Sequence, residues 1–323
     1  MKKLCVLLLL LNVTLVVLNI FCGSVTIPAE EVWRCLTHGE ETGIYGAIVT
    51  QLRLPAAITA MLTGTALGAC GLLLQSYFRN PLAGPSILGI TSGAHLAVAV
   101  SMLWLGITSG FGLTVSALVG AFIILLALLL LGKIVRQHVT LLIVGILLSY
   151  ITSAILTLLN YSASAEGVQM LLLWGMGTFG SVTLSDLPLF ATTVLVGLFL
   201  SALLIKPMNG WMMGELYAMN AGIDIRRTRW LTLLCTGLLC AITTAYCGPI
   251  AFVGLAMPHV ARLVARTDDH RQLLPLSMLL GGCCCSLCLW VSNWPDGGAT
   301  LPINALTPIL GIPVILYVIL RKY

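Results

Sequence analysis

The chain has 323 residues, of which 59% are hydrophobic and only 8% are charged, and its formal net charge is +5. Soluble domains carry roughly 25% charged residues, and a soluble fold could not bury so much apolar surface, so this composition excludes a soluble protein. The small positive charge is typical of basic loops that flank membrane helices, and it gives no reason to expect nucleic-acid binding.

Apolar runs of roughly 20 residues, the length that crosses a hydrocarbon core of about 30 Å, recur along the whole chain and leave no room for a separate soluble domain. We therefore predict an all-α integral membrane protein with a single domain over residues 1–323. In chain order, the predicted transmembrane spans are 4–22, 56–78, 87–106, 111–132, 139–159, 187–205, 230–248, 250–265, 273–293 and 306–320.

The first run follows Lys2 and Lys3 and therefore has the outline of a signal peptide. Large residues precede Cys22, so neither an A-x-A cleavage site nor a lipoprotein site fits. We expect this run to be retained as the first membrane helix.

Basic residues test the ten-span prediction, because Lys and Arg concentrate in cytoplasmic loops. With ten spans, 14 of the 16 basic residues fall on the side of the two termini, and Arg34 and Arg53 fall on the other. This distribution predicts that both termini are cytoplasmic. The 14 are Lys2, Lys3, Arg79, Lys133, Arg136, Lys206, Arg226, Arg227, Arg229, Arg262, Arg266, Arg271, Arg321 and Lys322.

The longest predicted cytoplasmic connection covers residues 206–229. It combines helix-forming stretches with Gly210, Gly214 and Gly222, and it carries Glu215 and Asp224 among Met, Leu and Tyr residues. We expect two short surface helices that form a protein-docking surface. An ordinary basic anchor loop is the alternative interpretation.

Two shorter loops also carry predictions. The apolar stretch 170–179 is too short to span, so we expect a helix packed at the outer mouth. The charged loop 265–272 lies on the inner side, and His270 in it is interpreted as a solvated residue. His259 follows Pro258 near a helix break and is interpreted as structural.

Ionisable groups are scarce at membrane depth, since no Asp, Glu, Lys or Arg falls at the middle of a predicted span. Proton- and ion-coupled carriers place such groups along their pathway, so this distribution argues against a secondary transporter. His95 is the one ionisable group at possible depth, and we interpret it as a hydrogen-bonded packing residue, with a substrate ligand as the alternative. Most of the 11 cysteines lie in apolar runs and are expected to fill space between helices rather than to bind a metal.

Three ordered motifs resemble the FecCD family of ABC importer permeases, which carry ferric siderophores, haem or cobalamin across the inner membrane. They are QLRLPAAITAMLTGTALGACGLLLQSYFRNPLAGPSILGITSGA (51–94), GPIAFVGLAMPHVARLVARTDDHRQLLPLS (248–277) and LPINALTPILGIP (301–313). The resemblance covers nearly the whole chain. It implies a homodimer of two permease copies in the lipid bilayer, two cytoplasmic ATPase subunits and a periplasmic binding protein.

The resemblance also implies roles for individual residues. ATPase coupling is expected from Asn209, Gly214, Glu215, Ala218 and Gly222, and binding-protein docking from Arg53 and Arg34. Relatives often have a second arginine after Arg-Leu-Pro and a glutamate before the outer Leu-Pro, whereas this chain has Ala56 and Thr300 there. The pathway or inner gate is expected near His138, Val139 and Thr140, with Gln75 and His95 as further candidates.

The predicted function is transport without catalysis by this chain. The sequence has no GxxxxGK[ST] phosphate loop, since its only Gly-Lys pair, Gly132-Lys133, is followed by Ile134. We therefore expect no cofactor on this chain and ATP use by a separate subunit. The expected cargo is an iron complex, with cobalamin as the alternative. The rival functions are those of a secondary carrier, a channel or a membrane-embedded enzyme.

Overall fold

The computed structural model describes residues 2–38, 43–135, 137–294 and 300–322, and the regular elements in these ranges are all helical. The α-helices are α1 (Lys2–Phe21), α2 (Ala29–His38), α3 (Ile44–Ala47), α4 (Leu54–Tyr77), α5 (Ile90–Leu103), α6 (Gly110–Ile134), α7 (His138–Ser162), α8 (Ala165–Gly175), α9 (Leu187–Leu203), α10 (Ile205–Met212), α11 (Glu215–Asn220), α12 (Ile225–Cys247), α13 (Val253–Ala265), α14 (His270–Ser292) and α15 (Ile303–Lys322). A π-helical turn, Ile48–Arg53, precedes α4, and a 3-10 turn, Pro85–Leu88, precedes α5.

The apolar helices coincide with the predicted spans. Within the described residues, six helical runs are long and apolar enough to cross a membrane, and α9 and α10 form a pair bent by 45° that passes the same test together. Three shorter apolar helices, Ile90–Leu103, Val253–Ala265 and Ile303–Pro313, occupy the remaining predicted positions. The all-α membrane fold is confirmed, while the number of crossings stays a prediction.

Helix α4 is the centre of the bundle, and most of its 24 residues are buried. Its glycines allow the neighbouring backbones to approach closely, as small residues do between membrane helices. A Cβ at Gly64 would lie 2.0 Å from the Gly281 carbonyl oxygen on α14, and one at Gly71 would lie 1.6 Å from the Gly254 carbonyl oxygen on α13. No larger side chain fits these positions.

The N-terminal end of this central helix extends further than predicted. The continuous helical run is Ile44–Tyr77, whereas the predicted span began at residue 56. Pro55 does not end the run, because it directly follows the π-helical turn Ile48–Arg53, where the Leu54 N–H bonds the Val49 carbonyl in the wider i→i−5 pattern.

Helix α1 packs on α14 through two buried asparagines separated by two helical turns. The Asn12 side-chain amide donates to the Leu279 carbonyl at 2.9 Å, and that of Asn19 donates to the Ser286 carbonyl at 2.9 Å. The rising order of both pairs shows that α1 and α14 run parallel. The first apolar run is therefore an integral helix of the bundle.

Candidate functional site: a docking loop at the basic end of the bundle

Residues 205–229, called the docking loop below, contain the two short helices predicted for this connection, α10 and α11, and the beginning of α12. Gly214 caps the start of α11 with φ 124°, and Gly222 follows the helix with φ 76°, both in the region that favours glycine. After α11, the Gly222 N–H bonds the Met219 carbonyl and the Ile223 N–H bonds the Ala218 carbonyl at 2.9 Å. These bonds close the helix with the usual glycine-based C-terminal motif.

The docking loop presents apolar side chains to the outside. Met213 is 67% exposed, Leu216 78% and Met219 57%, and Glu215 is exposed beside them. Ala218, on the opposite side of α11, is buried. An exposed apolar patch with a charged edge is typical of a protein-protein contact. Among the predicted coupling residues, Glu215 is thus at the surface, and Ala218 holds α11 against the bundle.

Asn209 faces the bundle instead of a partner. Its side-chain amide donates to the Asp269 carboxylate at 2.6 Å, and its Oδ1 accepts from the His270 backbone N–H at 2.8 Å. Asn209 therefore fixes the position of α10 against the start of α14.

His270 is buried rather than solvated, which corrects the prediction. Its ring contacts Ser76 Oγ at 2.6 Å and Asn209 Oδ1 at 2.8 Å. Asp269, the residue before His270, has a pKa below its usual range. The main cause is the hydrogen bond from the Arg271 backbone N–H to its carboxylate, and the second is the bond from the Asn209 amide. The sequence of the charged loop did not predict this cluster, because Ser76 and Asn209 lie far from His270 along the chain.

Trp211 is a central packing residue of the docking loop that the sequence did not single out. Its ring is buried and stacks on Tyr77, at the end of α4, with ring centroids 5.7 Å apart. Trp211 Nε1 donates to the Tyr77 carbonyl at 3.1 Å. The Arg79 guanidinium donates to the Trp211 carbonyl at 2.6 Å and lies 5.5 Å from the indole centroid.

Arg229 makes the corresponding contact at the other end of the docking loop. From the first turns of α12, its Nη1 donates to the Gly132 carbonyl at 2.8 Å and to the Val135 carbonyl at 2.9 Å. These carbonyls belong to the C-terminal end of α6, where backbone acceptors lack helical partners. Lys133 lies 5.2 Å from the ring of the adjacent Trp230.

The predicted gate residues lie at the start of α7, three residues after Val135. The helix begins at His138, whose side chain is outside the described part of the chain. Val139 and Thr140 are exposed, and Thr140 Oγ1 donates to Gln137 Oε1 at 3.3 Å. Most of α7 is also uncovered, and its exposed apolar residues are Val139, Ile143, Leu147, Tyr150, Ile151, Ile155, Leu158 and Tyr161.

Gln75 and His95 do not share that surface. Gln75 is buried, accepts from Arg262 Nη1 and donates to the Leu255 carbonyl at 3.1 Å, so it joins α4 to α13. This burial argues against the predicted pathway role of Gln75. His95 packs against Trp174 of α8 with ring centroids 5.5 Å apart, and its Nε2 has no hydrogen-bond partner among the described residues. This contact fits the packing role predicted for His95, but among the described residues Nε2 does not supply the hydrogen bond expected with that role.

At the end of the bundle opposite the docking loop, the two predicted docking arginines differ. Arg53 is 8% exposed, and its guanidinium donates to the carbonyls of Ile20, Phe21 and Val25. It therefore closes the C-terminal end of α1, which argues against a docking role for its side chain. Arg34, on α2, has a 63% exposed side chain and pairs with Glu31 at 3.0 Å.

The non-helical segment 248–252 connects α12 to the short helix α13 and needs internal hydrogen-bond partners, because lipid offers none. Asn304 supplies them. Its Oδ1 accepts from the Ala251 N–H at 3.0 Å, and its Nδ2 donates to the Gly175 carbonyl at 2.9 Å and to the Pro249 carbonyl. The motif LPINALTPILGIP includes Asn304, but its role became visible only in the folded chain.

Comparison with known proteins identifies this architecture. The model of the FecCD transport family matches residues 8–321. The chain belongs to the FecCD transport family. As a member, it is a multi-pass inner-membrane permease subunit of an ABC importer, and ATPase and substrate-binding partners are implied by the family.

Individual relatives of this FecCD member agree with the family assignment. The vitamin B12 import system permease protein BtuC of Klebsiella pneumoniae is 33% identical over 303 residues, 92% of this chain and 89% of the relative. BtuC of Salmonella paratyphi A is 33% identical over 318 residues, 97% of this chain and 95% of the relative.

Solved structures agree with the fold. A metal-chelate type ABC transporter in an inward-facing conformation gives a TM-score of 0.86 at 28% identity, covering 99% of this chain and all of that one. PsaBC from Streptococcus pneumoniae, solved in complex with a Fab, gives a TM-score of 0.58 at 18% identity, covering 82% of this chain and 89% of the PsaBC chain. It therefore shares the fold.

Proposed function

We propose that this chain is the membrane-spanning half of an importer for a bulky metal chelate, with an iron complex such as a ferric siderophore or haem as the cargo. The observation that carries the importer mechanism is the docking loop, which exposes Met213, Leu216 and Met219 while Asn209, Trp211 and Arg229 fix it to the bundle. A surface of this kind can transfer force from a soluble partner to the membrane helices, because the docking loop that binds the partner is fixed to the bundle and moves with it.

The partner at the docking loop is proposed to be an ATPase subunit. Gly214 and Gly222 bound α11, and a Cβ at either position would meet nothing within 4 Å, so both glycines serve the backbone turn. A cleft on the partner could therefore receive α11 with little obstruction. Closure of two such ATPases on ATP would push α10 and α11 toward the bundle.

A second copy of this chain is proposed to cover α7. The apolar face that includes Ile143, Leu147 and Leu158 is exposed in the single chain, and Tyr161 is 92% exposed. Two such faces around a shared axis would enclose a pathway with walls of Leu, Ile, Ser and Thr, which suit a large chelate that must pass without tight binding. The outer entrance would be served by a binding protein that contacts α2, where Arg34 is exposed.

Cobalamin is the second candidate cargo, and it is favoured by the 33% identity to two BtuC permeases over more than nine-tenths of this chain. The metal-chelate transporter, with 28% identity over 99% of the chain, supports the broader class. Both candidates are large metal chelates, so the same permease architecture serves either.

Transport by the reconstituted importer distinguishes the two cargoes. The permease, its co-purifying ATPase and its binding protein would be placed in proteoliposomes with internal ATP, and uptake of radiolabelled ferric siderophore, haem and cobalamin would be measured. We expect ATP-dependent uptake of an iron complex. Uptake of cobalamin alone would replace that cargo with the second candidate, and transport without an ATPase would refute the importer mechanism.

A further inference from the structure

Two arginines connect the docking loop to the ends of membrane helices by their guanidinium groups. Arg79, just after α4, reaches the Trp211 carbonyl in α10 at 2.6 Å. Arg229, near the start of α12, reaches the Gly132 and Val135 carbonyls at the end of α6 at 2.8 and 2.9 Å. In both contacts the acceptors are backbone carbonyls, that of Trp211 in the docking loop for Arg79 and those of Gly132 and Val135 for Arg229. Displacement of the loop must therefore pull on both helix ends.

The backbone at Arg79 is held in an uncommon conformation. Its φ is 48°, in the left-handed region that non-glycine residues avoid. This conformation ends α4 with a Schellman-type cap, in which the Arg79 N–H donates to the Ser76 carbonyl at 3.3 Å and the Asn80 N–H to the Gln75 carbonyl at 3.1 Å. From this fixed backbone the Arg79 side chain reaches the Trp211 carbonyl and ring. The segment that follows, including the 3-10 turn Pro85–Leu88, is thus positioned relative to the docking loop.

Both connections lead to α7. The 3-10 turn lies against this helix so closely that a Cβ at Gly145 would be 3.1 Å from the Ile87 carbonyl oxygen and from Leu88 Cα. The α6 end held by Arg229 leads within three residues to the first residue of α7, His138. Closely packed backbone transmits displacement because protein interiors are nearly incompressible.

We propose that Arg79 and Arg229 are positioning residues that transmit movement of the docking loop to α7 along two parallel routes, a role that rests on the proposed function above. Arginine suits this task because its rigid, planar guanidinium can hold two acceptors at fixed angles, which the single point charge of lysine cannot do. The α7 helix, largely uncovered in the single chain, is then the element that responds to ATP.

The test compares transport with ATP hydrolysis in the full importer. Arg79→Gln, Arg229→Gln and the double variant would be purified with the ATPase, checked for assembly by size-exclusion chromatography and assayed in proteoliposomes for uptake and ATP hydrolysis. Arg227→Gln is the matched control, since its side chain is exposed two residues before Arg229. We expect assembled complexes that hydrolyse ATP, with uptake per ATP reduced about tenfold in the double variant and less in each single one.

The possible outcomes separate the proposal from the proposed function. Unchanged uptake per ATP in the double variant would overturn the transmission role, and so would loss of the ATPase from the complex, which would make the arginines docking residues. If the glutamine variants do not fold, Arg229→Lys and Arg79→Lys are assayed in the same way, and a normal uptake-to-ATP ratio in both would overturn the role. A wild-type chain that purifies without any associated ATPase would instead refute the proposed function itself.

Discussion

Replacement of Asn304 by leucine would test how the bundle satisfies the non-helical segment 248–252. Leucine is similar in size but has no polar atoms, so the Ala251 N–H and the Gly175 and Pro249 carbonyls would lose their side-chain partner. The backbone bond from the Asn304 N–H to the Met176 carbonyl would remain. The substitution therefore isolates the side-chain contribution.

The expected destabilisation follows from the number of bonds removed. Side-chain hydrogen bonds between membrane helices contribute about 0.6–1.7 kcal/mol each, so the loss of three lowers the free energy of unfolding by roughly 2–5 kcal/mol. At about 2 °C per kcal/mol for a chain of this size, the melting temperature should fall by roughly 4–10 °C.

Thermal unfolding of the purified permease in mild detergent, followed by tryptophan fluorescence, measures the shift. Asn220→Leu is the control, because Asn220 is exposed at the end of α11, far from this segment. A melting temperature of Asn304→Leu within about 1 °C of the wild type would refute the reasoning, since the segment would then not depend on these bonds.

Three further substitutions probe packing, the end of α1 and acid stability. Gly71→Ala should reduce the yield of folded protein sharply, because the new Cβ would lie 1.6 Å from the Gly254 carbonyl oxygen, whereas Gly110→Ala, with no atom within 4 Å, should be harmless by size-exclusion chromatography. Arg53→Gln should lower the free energy of unfolding by about 2 kcal/mol through loss of charged hydrogen bonds to α1, and a wild-type melting temperature would contradict this. Asp269 has a pKa lowered from 3.8, so its stabilisation is present above that value and disappears as the pH falls through the lowered pKa; melting temperature should fall more steeply from pH 5 to 3 in the wild type than in Asp269→Asn.

Local chemistry determined much of this protein. The free energy of transferring an apolar run into lipid depends mainly on the run itself, so each apolar helix lies where a run predicted it, and the basic residues predict an orientation without knowledge of any contact. The helical pair in the docking loop was equally predictable, because glycines at 214 and 222 mark where a helix begins and ends.

The roles of individual polar side chains were decided by tertiary structure. Arg53 was predicted to dock a binding protein, His270 to be solvated and Gln75 to line a pathway, yet all three are buried against partners on other helices. Sequence gives the polarity of a side chain but not the distance to a carbonyl far away along the chain. For the same reason, the hydrogen bonds of Asn304 could not be predicted from the sequence.

The proposed linkage from the docking loop to α7 also depends on contacts that tertiary structure decides. Arg79 and Arg229 were counted as basic residues of the inner side, which their charge alone predicts. Their carbonyl partners lie 132 and 97 residues away along the chain, at Trp211 and Gly132. Only the packing of the helices brings these atoms together, because a hydrogen bond forms within about 3 Å and a sequence does not specify separations on that scale.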